Sequence, residues 1–181
     1  DQITTDDTFL IAVNKAGTAY ALPNAASTVV LPVGATLTVA LPSITLSSGL
    51  SSAYTWKKTA DAYIQSAADA ANYLYVIADN PGTRVGTKTA AWSVATDTSS
   101  NVYLTATDSA SAARYIGVYN TQDFRTYTAM TAANIAGQNT LFYKLTTTST
   151  CTHVWGEGVV TTAATCTTAG SVTVICYDCG E

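Results

Sequence analysis

The feature that most constrains this chain is a repeated pattern of short β-branched and aromatic runs separated by turn-forming residues. Runs such as Thr18–Leu22, Thr28–Leu31 and Tyr73–Ile77 are typical of strands. Clusters of Gly, Asn, Asp, Ser and Pro lie between them, and Asp79-Asn80-Pro81-Gly82 is the clearest. Only the Ala-rich stretch 60–71 has high helix propensity, and its Tyr63-Ile64 pair fits the strand pattern, so we expect no helix there. The pattern predicts an all-β barrel or sandwich.

A three-piece unit recurs along the chain and narrows this prediction. Each unit opens with an apolar strand, crosses a polar loop to a second apolar strand, and closes on an aromatic strand. The pieces are Phe9-Leu10-Ile11, Tyr20-Ala21-Leu22 and Tyr54-Thr55-Trp56; Tyr63-Ile64, Tyr73-Leu74-Tyr75 and Trp92-Ser93-Val94; and Val102-Tyr103-Leu104, Arg114-Tyr115-Ile116 and Leu141-Phe142-Tyr143. Three units of about 45 residues predict a β-trefoil-like barrel of about twelve short strands. An irregular β-barrel or a β-sandwich is the alternative.

Composition excludes several classes of protein. Charged residues make up 11% of the chain, against about 25% in an average soluble domain. Eight Lys and Arg residues face twelve Asp and Glu residues, a net charge of −4, which is too little positive charge for a nucleic-acid binder. The hydrophobic fraction of 48% excludes a disordered chain. No apolar run is long enough for a transmembrane helix, so we expect neither a nucleic-acid partner nor a membrane span.

The residues that usually carry catalysis are scarce. His153 is the only histidine and lies in the Cys-rich C-terminal stretch, which disfavours a Ser-His-Asp or Cys-His arrangement. Glu157 and Glu181 are the only glutamates, and the aspartates lie in turn-like contexts, where local hydrogen bonding favours them. Motifs for nucleotides and calcium are absent. We therefore expect a protein that is not an enzyme and has no catalytic residues.

The composition changes abruptly at Thr146–Thr150, a run of four Thr and one Ser. Such a polar run predicts an extended linker. Residues 1–145 are then a β-rich accessory or binding domain, and residues 151–181 are a Cys/His-stapled mini-module that holds all four cysteines and the histidine. A segment of about thirty residues buries too little apolar surface to fold alone, so we expect a covalent or metal staple.

The staple has two candidate chemistries. Cys151, Cys166, Cys176 and Cys179 form a four-thiolate set suited to structural zinc, and the C-x2-C spacing of the last two is a common half-site. His153 is an alternative ligand. Two disulfides would also serve, each joining one half of the C-x2-C pair to Cys151 or Cys166, since the paired cysteines are too close to each other. We expect structural zinc, with two disulfides or free thiols as alternatives.

The spacing of this stretch is specific. The pattern is Cys151-x-His153-x-Trp155, then Gly158, Cys166 and Gly170, then Cys176-x2-Cys179-Gly180. It resembles a short Cys-rich repeat of secreted and cell-surface multi-modular proteins of anaerobic gut bacteria. Upstream residues resemble the β-rich accessory module of such proteins: Tyr73-Leu74, Arg84-Val85-Gly86, Trp92, Tyr115-Ile116-Gly117, Asp123-Phe124-Arg125, Tyr127 and Phe142-Tyr143-Lys144-Leu145.

The resemblance implies an extracellular or cell-surface module without catalysis, of the kind attached to hydrolases, nucleases and adhesins. It carries over no catalytic residue. The Cys-rich repeat normally continues into a further segment, whereas this chain stops at Glu181. We therefore expect either a fragment of a larger protein or a single repeat at a terminus.

Ligand binding is the first function that the remaining residues favour. Exposed aromatic rings beside amide, carboxylate and guanidinium groups are typical of sugar-binding surfaces. The densest such cluster comprises Tyr119, Asn120, Asp123, Arg125 and Tyr127. We therefore predict adhesion, or binding of a surface glycan or protein ligand, within a surface assembly. In the alternative, structural interpretation the tyrosines cap the barrel and Asp123 with Arg125 is an ordinary loop pair.

Self-association is the second predicted function. Few charges and many short strands leave sheet edges little protected against pairing with other chains. The chain would then be a structural subunit of an extracellular filament or surface layer. Copies of the chain would join through strand edges or inserted ends.

Overall fold

The computed structural model describes residues 3–5, 7–38, 52–145 and 156–174. The chain divides into two compact units, which we call the body (Asp1–Leu145) and the tail (Thr146–Glu181). Every regular element described is a β-strand, apart from one helical turn at 52–54. The predicted all-β class is therefore confirmed. None of the described helical residues forms a segment long and apolar enough to cross a bilayer.

Thirteen strands are described in the body, where the sequence predicted about twelve. They are β1 (Thr8–Lys15), β2 (Thr18–Ala21), β3 (Leu31–Pro32), β4 (Thr36–Thr38), β5 (Thr55–Lys58), β6 (Ile64–Ser66), β7 (Tyr73–Val76), β8 (Thr83–Gly86), β9 (Trp92–Thr96), β10 (Val102–Thr107), β11 (Ala113–Tyr119), β12 (Asp123–Tyr127) and β13 (Asn139–Lys144).

The strands of the body form two curled antiparallel sheets. The first sheet has the order β4-β2-β1-β5-β6-β7-β8, with β13 paired to β1 as an eighth strand, and the second has the order β3-β12-β11-β10-β9. Strand β1 holds the first sheet together, because it pairs with three other strands. It pairs with β13 along Phe9–Asn14, with β5 along Thr8–Leu10 and with β2 along Ala12–Lys15.

Strand β1 is also buried on both of its faces. Phe9, Ile11 and Val13 belong to the main core, whereas Leu10 and Ala12 belong to a smaller cluster on the opposite face. A strand covered on both sides has no polar face. This explains why the sequence of β1 is a continuous apolar run instead of an alternating one.

Two tryptophans make the same contact at different places in the core. The indole Nε1 of Trp56 on β5 donates a hydrogen bond to the Leu22 carbonyl at 3.1 Å, and Nε1 of Trp92 on β9 donates to the Leu74 carbonyl at 2.9 Å. A buried indole N–H needs such an acceptor. Each bond ties the closing strand of a sequence unit to the second apolar piece of that unit.

The predicted strands overlap the observed ones, but the strand predicted over Thr28–Leu31 is largely wrong. Residues 28–30 do not join the strand that was predicted over Thr28–Leu31, and β3 begins only at Leu31. The Ser27 hydroxyl explains this: it donates to the Val29 carbonyl at 3.0 Å and accepts from the Val29 amide at 3.3 Å. These bonds form a local turn that competes with the extended backbone.

The Ala-rich stretch 60–71 contains no helix, as predicted. Strand β6 runs through its middle, and the flanking residues form turns. The Asp69 carboxylate stabilises the second turn, because its Oδ1 accepts from the Ala71 amide and its Oδ2 from the Asn72 side chain. Tertiary pairing with β5 therefore overrides the helix propensity of the alanines.

The described part of the tail is a two-stranded antiparallel ribbon. Its strands are β14 (Val159–Thr162) and β15 (Ser171–Thr173), with a register shift between Val160 and Thr162. Residues 157–174 are exposed throughout. A lone two-stranded ribbon has little stability of its own in water.

Candidate functional site

Four of the five predicted ligand-binding residues lie on the β11–β12 hairpin, on one face of it. The ladder pairs Tyr119 with Asp123 and Gly117 with Arg125, and Tyr127 lies two residues further along the same face. Side chains two residues apart on a strand point to the same side. The opposite face of the hairpin carries the buried residues Ile116, Val118 and Phe124 of the main core.

The fifth residue, Asn120, begins the turn of this hairpin. Asn120 and Thr121 have positive φ angles of 43° and 59°, and the Gln122 amide donates to the Tyr119 carbonyl at 2.8 Å. Two consecutive positive φ angles are typical of the tight turns that match the twist of a hairpin. The amide side chains of Asn120 and Gln122 are exposed and make no hydrogen bond within the described part of the chain.

Arg125 is held between a carboxylate and an aromatic ring. Its Nε and Nη2 donate to the two oxygens of Asp123 at 2.6 and 3.1 Å. The centre of the guanidinium lies 3.8 Å from the centroid of the Tyr119 ring. Hydrogen bonding to Asp123 raises the pKa of Arg125 further. We call Tyr119, Asn120, Gln122, Asp123 and Arg125 the hairpin tip.

Two further features make this arrangement suitable for a ligand. A bidentate pair fixes the guanidinium plane and so leaves little side-chain entropy to lose on binding. The third guanidinium nitrogen, Nη1 of Arg125, has no partner among the described residues, since only Nε and Nη2 make bonds. The hairpin tip therefore brings together an oriented donor, two exposed amides and the half-buried Tyr119 ring.

Tyr127 does not belong to the hairpin tip. It is 6% exposed and packs with Tyr103 and Ile135 in a third apolar cluster. Burial also raises the pKa of the Tyr127 hydroxyl. Gly117 shows how closely the covering segment lies, because a Cβ there would come within 2.2 Å of Ile135. The surroundings of Tyr127 therefore match the alternative, structural interpretation, in which this tyrosine caps the core.

The aspartates singled out in turns act there as hydrogen-bond acceptors. Asp97 Oδ1 accepts from the Ser99 and Asn101 amides at 2.8 and 2.9 Å, and hydrogen bonding to Asn101 lowers the pKa of Asp97. Asp108 accepts from two backbone amides and from Arg114 Nε at 2.6 Å, and the bond to Arg114 lowers its pKa. Both carboxylates stabilise turns, and the local hydrogen bonds favour their negatively charged form.

Elsewhere on the body the structure shows a cavity that no sequence motif predicts. The cavity has a volume of about 410 Å³, and its lining includes Lys58, Val94 and Phe142. The lining nevertheless follows the repeat units. These three residues pair in register with Ile64, Leu104 and Ile11, which are matching positions of the three opening strands.

The predicted staple falls mostly outside the described residues. Cys151, His153, Cys176 and Cys179 lie there, whereas Cys166 is described and is exposed. Within the described ranges no group of three or more His, Cys, Asp or Glu side chains could hold a metal ion. The zinc set and its disulfide alternative therefore stay predictions.

The chain matches no protein-family model, no curated protein and no solved structure.

Proposed function

We propose that the chain is a non-catalytic extracellular or cell-surface module that binds a glycan at the hairpin tip. The observation that carries the proposal is the placement of Arg125 between Asp123 and the Tyr119 ring. Sugar hydroxyls are recognised by planar donors and acceptors combined with aromatic surface. The free Nη1 of Arg125 and the amides of Asn120 and Gln122 would supply those donors and acceptors.

The experiment is a glycan array probed with the full chain and with Arg125→Ala. Hydrogen bonds to charged groups are strong, so we expect the variant to lose at least about tenfold in apparent affinity. Lys88→Ala is the matched control, because Lys88 is also a cation near a tyrosine, 5.8 Å from the Tyr75 centroid, on another hairpin. An array without any signal above background, or equal losses in both variants, would contradict the proposal.

The finer architecture is also part of this proposal: we infer that the body is a β-trefoil. Its support is the matching register of Ile11, Ile64 and Leu104 and the repeated tryptophan contact. Two hydrogen bonds between the sheets also support it. The Trp92 amide donates to the Ala62 carbonyl at 2.9 Å, and the Leu104 amide donates to Thr140 Oγ1 at 3.2 Å. A crystal structure of the body without threefold pseudosymmetry would refute it.

The surface setting rests on the resemblance of the tail to a Cys-rich repeat of bacterial surface proteins. We propose that the tail is stapled by zinc bound to Cys151, Cys166, Cys176 and Cys179, with His153 as an alternative ligand. Thiolates and imidazole form tetrahedral zinc sites with this spacing. Metal analysis with thiol titration under native conditions tests it: zinc at one equivalent supports the site, whereas no metal and no titratable thiol indicates two disulfides.

A second candidate function is self-association, and the ribbon of the tail favours it. Val160 and Val172 face each other across the ladder and are 64% and 59% exposed. Apolar side chains favour strand addition by another copy when they lie on a ribbon whose outer edges, as here, have no partner strand among the described residues. Sedimentation of the chain against a Val160→Lys variant tests this function. Association in the parent that the variant abolishes supports a structural subunit, and a monomer at high concentration opposes it.

A further inference from the structure

The cavity in the body has the size of a small-molecule site. Its volume is about 410 Å³, and pockets that hold small ligands measure about 300–1,000 Å³. It lies against strands β1, β5, β6, β9, β10 and β13, which bring together residues that are far apart in the sequence. The cavity is separate from the hairpin tip, because none of the tip residues lines it.

The walls of the cavity are apolar and reach the main core. Phe9, Trp92 and Leu104 line it and are almost completely buried members of that core. Nearer the surface, Phe142 is half-buried and Val94 is 58% exposed. An apolar wall that remains open to solvent favours a ligand with an apolar body, since burying that surface is favourable.

One wall is held in place by an ion pair next to it. Ile3 lines the cavity, and the following residue Thr4 donates from its amide and hydroxyl to Asp7 Oδ2 at 2.9 and 3.0 Å. Asp7 Oδ1 in turn accepts from Lys144 Nζ at 2.7 Å. These bonds anchor the segment that carries Ile3, so this side of the cavity is formed before a ligand arrives.

The charged side chain in the cavity lining indicates which polar group a ligand would carry. Among the described residues that line the cavity, Lys58 is the one charged side chain and none is acidic. Lys58 is exposed and makes no ion pair within the described residues. The hydroxyl-bearing Ser93 also lines the cavity. An apolar body and an anionic head group would match this combination of walls and rim.

We propose that this cavity binds a medium-chain aliphatic monocarboxylate, with the chain against Phe9, Trp92 and Phe142 and the carboxylate at Lys58. Three arguments support the proposal: the size of the cavity, its apolar wall, and a lining lysine, Lys58, that makes no ion pair within the described residues. The proposal does not depend on glycan binding at the hairpin tip.

The experiment titrates the full chain with decanoate and with decanol and measures binding by calorimetry. Trp92 lines the cavity, so its fluorescence gives a second readout. We expect saturable binding of decanoate by the parent chain. An ion pair with an exposed lysine is worth at most a few-fold in affinity, so Lys58→Met should weaken decanoate binding about fivefold and leave decanol binding unchanged.

Lys57→Met is the matched control, because Lys57 is the neighbouring exposed lysine of β5 and does not line the cavity. It should bind decanoate like the parent chain. Val94→Trp, which enlarges an exposed residue at the mouth, should abolish binding of both probes. The proposal is overturned by the absence of saturable decanoate binding, or by equal affinities of the parent and Lys58→Met. Retention of decanoate binding in Arg125→Ala would show that the two sites are independent.

Discussion

Replacing Trp56 by Phe should test the core of the body most sharply among single substitutions. Trp56 is fully buried, and its indole Nε1 donates to the Leu22 carbonyl at 3.1 Å. Phenylalanine keeps an aromatic ring but removes this donor, so the Leu22 carbonyl loses its partner. A buried acceptor left unsatisfied costs about 1–3 kcal/mol, and the smaller ring adds about 1 kcal/mol through lost contacts and residual void.

The expected loss is therefore about 2–4 kcal/mol, a large part of the 5–15 kcal/mol that folded domains typically have. For a body of this size, about 2–4 °C of melting temperature per kcal/mol corresponds to a decrease of roughly 5–15 °C. Urea unfolding followed by far-ultraviolet circular dichroism measures the free energy of unfolding without relying on the fluorescence of the substituted residue.

Trp92→Phe provides a matched comparison within the same fold. Trp92 makes the equivalent bond to the Leu74 carbonyl at 2.9 Å but is 7% exposed, so water can partly replace the lost donor. Its loss should be smaller, about 1–3 kcal/mol. Val94→Thr, at an exposed position of the same strand, should stay within about 0.5 kcal/mol of the parent. A Trp56→Phe variant as stable as the parent would refute the reasoning.

Three further predictions follow from single contacts. Lys144 and Thr4 lower the pKa of Asp7 from 3.8 to about 2, so its stabilising contribution is complete above about pH 4 and is lost as the pH falls towards 2. Acid melts of Asp7→Asn should therefore show a weaker dependence on pH over that interval than those of the parent. Gly117→Ala places a Cβ 2.2 Å from Ile135, so this overpacking should lower the free energy of unfolding in urea by about 1–3 kcal/mol. Gly137→Ala has open space around it but a φ of +75°, so backbone strain alone should lower that free energy by about 1 kcal/mol. Gln138→Leu removes the bonds of 2.7 and 2.9 Å to the Val118 amide and carbonyl and should cost about 2–4 kcal/mol, and an unchanged unfolding midpoint would contradict that role.

The strands could be predicted because their determinants are local. Strands such as β7 and β8 are short segments that contain β-branched or aromatic residues and lie between recognisable turns, and both of these signals are visible in the sequence. The turn at residues 28–30 was missed because a serine hydroxyl bond, which propensity does not register, forms it. The absence of a helix from the Ala-rich stretch could be predicted because its Tyr63-Ile64 pair continues the strand pattern, which outweighs the helix propensity of the alanines.

The candidate site could be predicted only in part, because the missing information lies in long-range packing. Asn120, Asp123 and Arg125 are close in sequence, so a hairpin was enough to bring them together with Tyr119. The burial of Tyr127 depends on Ile135, which lies in a covering segment beyond the hairpin. The cavity depends on six strands from three repeat units, and no local pattern encodes its volume.

The central claim is that the hairpin tip binds a glycan, and an NMR titration with the best array ligand tests it most directly. Backbone amide shifts of the ¹⁵N-labelled chain report which residues lie near the bound sugar. Saturable shifts concentrated at residues 119–125, together with their loss in Arg125→Ala and their retention in Lys88→Ala, are the predicted result. Shifts that cluster elsewhere on the body, or that persist unchanged in Arg125→Ala, would contradict the account.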